Sequence, residues 1–134
     1  MAPELNTARN AAFGLSAANV KLITLTKRSD FLAAARALRS GQTGLVLQAR
    51  ERRDENASIR VGFTCSKKVG NAVTRNRAKR RLREVARDII PLHGRTGFDY
   101  VLIGRAQSTV SRNFSELRQD LLRALKTIHG PKAG

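Results

Sequence analysis

The chain has 134 residues, with 26 Lys and Arg against 10 Asp and Glu, for a formal charge of +16. That length suits one domain with its own core. One cysteine (Cys65) and two distant histidines (His93, His129) exclude a disulfide framework and a cysteine-based zinc site, and no apolar run approaches the ~18 residues of a membrane span. The excess of cations, with Arg ahead of Lys by 19 to 7, points to a polyanionic partner rich in phosphate.

Residues 1–20 are rich in Ala and Asn, lack a sustained period and read as an extension; they also lack the basic-then-apolar order of a signal peptide. The domain is expected over 21–130, with 131–134 a flexible tail. Ser29 is a candidate N-cap and Asp30 suits the first turn of a helix. Phe31, Ala34, Ala35 and Leu38 then repeat at helical spacing until Gly41. Leu45–Ala49 reads as a short strand and 50–58 as a polar loop. Arg60–Lys67 alternates, with Val61, Phe63 and Cys65 on one face and Gly62, Thr64 and Ser66 on the other. Residues 72–90 form the clearest helix: Ala78, Leu82, Val85, Ala86 and Ile89 make one apolar stripe, with Asn76, Arg80, Arg83 and Arg87 roughly opposite. Pro91 is expected to end it. Phe98–Gly104 reads as a central strand and Phe114–Ile128 as a last helix, closed by Gly130-Pro131. The order is α-β-β-α-β-α, a single α/β or α+β domain.

No constellation of catalytic type appears. Neither histidine sits beside a nucleophile and an acid. Glu84 and Asp88 stand one helical turn apart, a spacing that could hold a divalent ion. With Arg80, Arg83 and Arg87 in reach, ion pairing on the helix surface is the plainer account. Cys65 alternates with Val61 and Phe63 as a small apolar strand residue would. The binding signal is stronger. Between Arg60 and Arg87 there are ten basic residues and one acid, in a turn at Gly70-Asn71 followed by a helix start. A merely solvated helix face would mix its signs; this one concentrates repulsion that a bound anionic backbone would relieve. By angle, Arg75 projects toward the sheet while Arg77, Arg80 and Arg83 project outward.

The stretch RVGFTCSKKVGNAVTRNRAKRRLR, Arg60–Arg83, resembles the signature of the bacterial ribonuclease P protein subunit, with Arg75-Asn76-Arg77 and Lys79-Arg80 at its heart. The likeness continues through Lys27–Phe31 upstream and Phe98–Arg105 downstream, over roughly Leu22–Ile128. It implies an α/β (α+β) two-layer sandwich of αβββαβα order with a left-handed β-α-β crossover. It also implies a cytoplasmic ribonuclease P holoenzyme that removes the 5′ leader of precursor tRNA. Catalysis is then expected in the RNA subunit, with magnesium held mainly there and one protein bound per RNA. By position, Lys67, Lys68, Arg75, Asn76, Arg77, Lys79, Arg80 and Arg83 are implied RNA contacts. The implied leader-binding cleft, between the first helix and the sheet, takes in Phe31, Ala35, Val46, Gln48 and Phe63. Ala35 and Gln48 stand where aromatics are common in the family, which implies a weaker grip on leader bases. No metal site or catalytic residue is assigned to the protein.

A ribosomal or other structural RNA-binding protein is the main alternative. A DNA-binding regulator would want a helix just upstream of 72–90, where the sequence reads as a strand. A membrane-surface helix would want Trp or Phe anchors that the apolar stripe lacks.

Overall fold

The computed structural model describes residues 21–130; the expectations for 1–20 and 131–134 lie outside the described residues. In chain order the elements are β1 (Leu22–Thr24), α1 (Arg28–Ala35), β2 (Leu38–Gly41), β3 (Leu45–Glu51), β4 (Ile59–Thr64), a 3₁₀ turn (Lys67–Val69), α2 (Ala72–His93), β5 (Phe98–Gly104), α3 (Ser108–Ser111) and α4 (Phe114–His129). The expected αβββαβα order is present as α1-β2-β3-β4-α2-β5-α4, with β1 and α3 added.

All strands join one sheet in the order β1-β4-β5-β3-β2. β4 lies parallel to β1 and β5, whereas β3 is antiparallel to β5 and β2. β5 is therefore central, as its apolar run Tyr100–Ile103 requires. Strand alternation sorts the two faces. Leu45, Leu47, Ala49, Ile59, Val61, Tyr100 and Leu102 meet Leu82, Val85, Ala86 and Ile90 of α2 and Leu117, Leu121, Ala124 and Leu125 of α4 in the main core. On the opposite face α1 covers a smaller cluster of Leu25, Ala34 and Val101, edged by Phe31 and Ile103.

Four local readings need correction. The N-cap of α1 is Lys27 rather than Ser29, because the Lys27 carbonyl already accepts from the amides of Asp30 at 3.0 Å and Phe31 at 3.3 Å. Leu38 and Gly41 belong not to that helix but to β2, whose residues Leu38–Gly41 pair with Val46–Ala49. The strand expected over 60–67 ends at Thr64, and Lys67 turns into the 3₁₀ segment. Pro91 lies inside α2, which runs on to His93. Proline's fixed φ is itself helical and here forfeits a single amide bond near the helix end. Gly94 then closes the turn by donating to the Ile90 carbonyl at 2.7 Å.

Arg52, read as part of a polar loop, is buried. Its guanidinium spends all five donors: on Asp54, the Phe98 carbonyl, Asp99, and the carbonyls of Asn56 and Ser58, at 2.7–3.0 Å. It pins the 52–58 loop against the end of β5.

Candidate nucleic-acid interface

The basic unit is built by a turn that only certain residues make. Ser66 Oγ accepts from the Lys68 amide, and Gly70 follows at φ +147°, where a side chain would be strained. Asn71 then caps α2, its Oδ1 accepting from the Thr74 amide at 2.9 Å. The result places Lys67 and Lys68 exposed at the mouth of the helix whose first two turns carry Arg75, Asn76, Arg77 and Lys79. Asn76, Arg77, Arg80 and Arg83 are exposed, while Arg75 and Lys79 are half-buried. Arg75 and Lys79 lie close enough to Cys65 for their charges to act on its thiol, as a sheet-side Arg75 should. Arg83, expected to project outward, instead carries its guanidinium over the Phe63 ring of β4, 5.7 Å from the centroid.

Not every arginine of α2 is available. Arg81 donates to the carbonyls of Thr109 and Arg112 and lies 5.7 Å from the Phe114 ring centroid; it fastens α2 to the α3–α4 segment. Asp88 pairs with Arg118 of α4 at 2.8 Å rather than with arginines of its own helix, which corrects the expected surface pairing. Most of the described acids are spent elsewhere, on arginines that hold the fold. Asp99 and Asp30 take Arg50 and Arg60, Asp99 and Asp54 take Arg52, and Asp120 takes Arg112 and Arg123. Among the described residues, Lys67, Lys68, Arg75, Arg77, Lys79, Arg80, Arg83 and Arg87 make no ion pair.

On the α1 face, the Phe31 ring covers Gly62 so closely that a Cβ there would stand 2.5 Å from it. Val46 and Gln48 alternate with the core-facing residues of β3 and so share this face with Val101 and Ile103. Ala35 is exposed on the last turn of α1. Phe63 does not belong here. It lies one residue from Gly62 on β4, points to the α2 face and packs against the main core, so its placement in the cleft is corrected. The face continues past Val46 and Ile103 into a groove of about 880 Å³ bordered by Arg39, Lys68 and Arg105. Sequence reasoning passed over Arg39 and Arg105 as site residues. The signal was the register, since Arg39 faces Gln48 across β2–β3 and Arg105 follows β5 directly.

The chain's candidate nucleophile and bases are poorly placed for chemistry. Burial pushes the Cys65 thiol up, and His129 Nε2 is occupied by the Tyr100 hydroxyl at 2.7 Å. Among the described residues no three His, Cys, Asp or Glu side chains come together in a way that could hold a metal ion; the buried carboxylates face guanidinium groups instead. No helix among them is long and apolar enough to cross a membrane.

A family model described as Ribonuclease P matches residues 21–129. The Ribonuclease P protein component of Ruegeria pomeroyi is 63% identical over 109 residues, covering 81% of this chain and 87% of that protein. The Caulobacter vibrioides component is 48% identical over 109 residues, covering 81% and 72%. Among solved structures, the Staphylococcus aureus RNase P protein superimposes with a TM-score of 0.64 at 25% identity, over 80% of this chain and 95% of that one. The Thermotoga maritima RNase P protein gives 0.63 at 28% identity, over 77% and 94%.

Proposed function

This chain belongs to the ribonuclease P protein family, and from that premise we propose that it acts as the protein component of a ribonuclease P holoenzyme in the cytoplasm. It binds the catalytic RNA subunit, one protein per RNA, and the 5′ leader of precursor tRNA, so that the leader is removed and the mature 5′ end is made. The observation that carries this reading is the set of cations on the 3₁₀ turn and α2 that make no ion pair, while most of the described acids are committed to other arginines. Unpaired cations on one rigid element are worth most against a phosphate backbone, where each contact releases condensed counterions.

Division of labour follows from the side chains. Lys67, Lys68, Arg77 and Arg80 hold RNA from the outward face, and Arg75, Lys79 and Arg83 hold it from the sheet side. The α1 face takes the leader as a single strand over Phe31, Val46 and Gln48. With Ala35 and Gln48 at positions where an aromatic would stack, that grip relies more on charge, to which Arg39, Lys68 and Arg105 contribute. Among the described residues no group is arranged to cleave a phosphodiester; on this reading magnesium supplies that chemistry with the RNA subunit, away from this protein's carboxylates.

Reconstitution tests it. Added to the RNA subunit of the same organism and labelled precursor tRNA at low magnesium, the protein is expected to raise the cleavage rate and tighten substrate binding. Binding to that RNA without any gain in cleavage would instead favour a structural RNA-binding protein.

A further inference from the structure

A second concavity lies through the sheet from the α1 face, where β1 runs beside α2. It encloses about 640 Å³, within the ~300–1,000 Å³ range of sites for small ligands. Leu22 and Phe63 contribute apolar surface, Leu92 stands at its edge with 64% of its surface exposed, and Lys21, Arg83 and Arg87 supply charge. The Arg83 guanidinium sits over the Phe63 ring, 5.7 Å from its centroid. One acid borders the groove, Asp88, and Arg118 of α4 holds it at 2.8 Å. Among the described residues, no other carboxylate lines the groove, and none forms an ion pair with the three cations.

This combination is selective. An apolar peptide would leave three cations facing it without anions, and an acidic peptide would leave the ring and Leu22 without a flat partner. A nucleotide satisfies both halves, since its base stacks on an aromatic or guanidinium plane while its phosphates meet the cations. We propose that this groove binds a single unpaired nucleotide of the RNA held by α2, with its base on the Phe63–Arg83 platform and its flanking phosphates at Lys21 and Arg87. The inference rests on the RNA-binding reading above but is independent of the leader cleft, which occupies the other face. It gives Phe63 a role on the side of the sheet where the fold puts it.

The test uses the full chain bound to the ribonuclease P RNA of the same organism, with 2′-hydroxyl acylation read at every nucleotide. Phe63→Leu keeps apolar bulk in the core and removes the ring; Arg87→Ala alters an exposed side chain that the fold does not use. Phe63→Leu is expected to expose one unpaired nucleotide that the wild-type protein protects and to weaken RNA binding roughly 5- to 150-fold, the worth of one base stack. Arg87→Ala is expected to thin the same protection and to flatten the salt dependence of binding by about one phosphate contact. Wild-type binding with unchanged footprints in both variants would overturn this inference alone. A wild-type protein that does not bind this RNA would overturn the proposed function and this inference together.

Discussion

Three arginines converge on Asp99, which has no exposed surface. Arg52 donates to it at 2.9 Å, Arg60 at 2.7 and 2.8 Å, and Arg50 stands at 3.7 Å. The hydrogen bonds from Arg60 to Asp99 hold its guanidinium proton more tightly than usual. A buried ion pair gains little over a well-packed apolar pair, but removing one partner strands the other. Asp99→Asn would leave the Arg52 side chain, 2% exposed, without its buried countercharge. We expect a loss of about 3–5 kcal/mol, read as a lower urea midpoint. The sequence marks residues 50–58 only as a polar loop. Charge does not report its partner, and here that partner is 47 residues away.

The end of α4 is stapled to the sheet through one proton. The Tyr100 hydroxyl accepts from the Arg95 amide at 2.8 Å and lies 2.7 Å from His129 Nε2. With the amide on its oxygen, its own proton is assigned to Nε2, which makes the imidazole neutral and the acceptor. The His129 ring also stands edge-on to Phe98, 4.8 Å between centroids. Burial first, and the Arg95 charge second, bring its pKa down to about 4. An unfolded histidine titrates near 6.5, so between those values the unfolded chain binds the extra proton. Stability from this staple is full above about pH 6.5 and is lost as pH falls toward about 4. His129→Gln, which keeps an acceptor without titrating, should fall less steeply than wild type in urea midpoints measured from pH 7 to 4.5. Helices of this length were legible: the stripe of Ala78, Leu82, Val85, Ala86 and Ile89 is buried as its period required. β1 and α3 were not, because three or four residues carry no period and owe their form to a partner, as Leu22–Thr24 does to Ile59–Val61.

Across the whole molecule, charge is partitioned more sharply than the +16 total suggests. Arginines at the end of β3, at the start of β4 and along α4 are neutralised within the fold, whereas the lysines of the 3₁₀ turn and the arginines of α2 other than Arg81 are left for a partner. The double variant Arg77→Ala/Arg80→Ala removes two exposed cations that support no other side chain. It should leave thermal stability near wild type and reduce the slope of log affinity against log salt by roughly 1.5, at 0.7–0.9 for each phosphate contact. An unchanged slope would remove the outward face of α2 from the interface. The basic unit itself was plain in the sequence because its residues are contiguous. The cleft was legible only in part, since alternation put Phe63 and Gly62 on opposite faces without saying which one α1 would cover. Strand order carries one more consequence, for the timing of assembly. β1 and β4 can pair, and β2 and β3 can form a hairpin, but neither half touches the other through hydrogen bonds until β5 is laid between them. On a chain made from its N-terminus, the middle of the sheet is thus among the last pieces to leave the ribosome. The basic helix is synthesised before it, and for that interval it is tethered to only half a sheet.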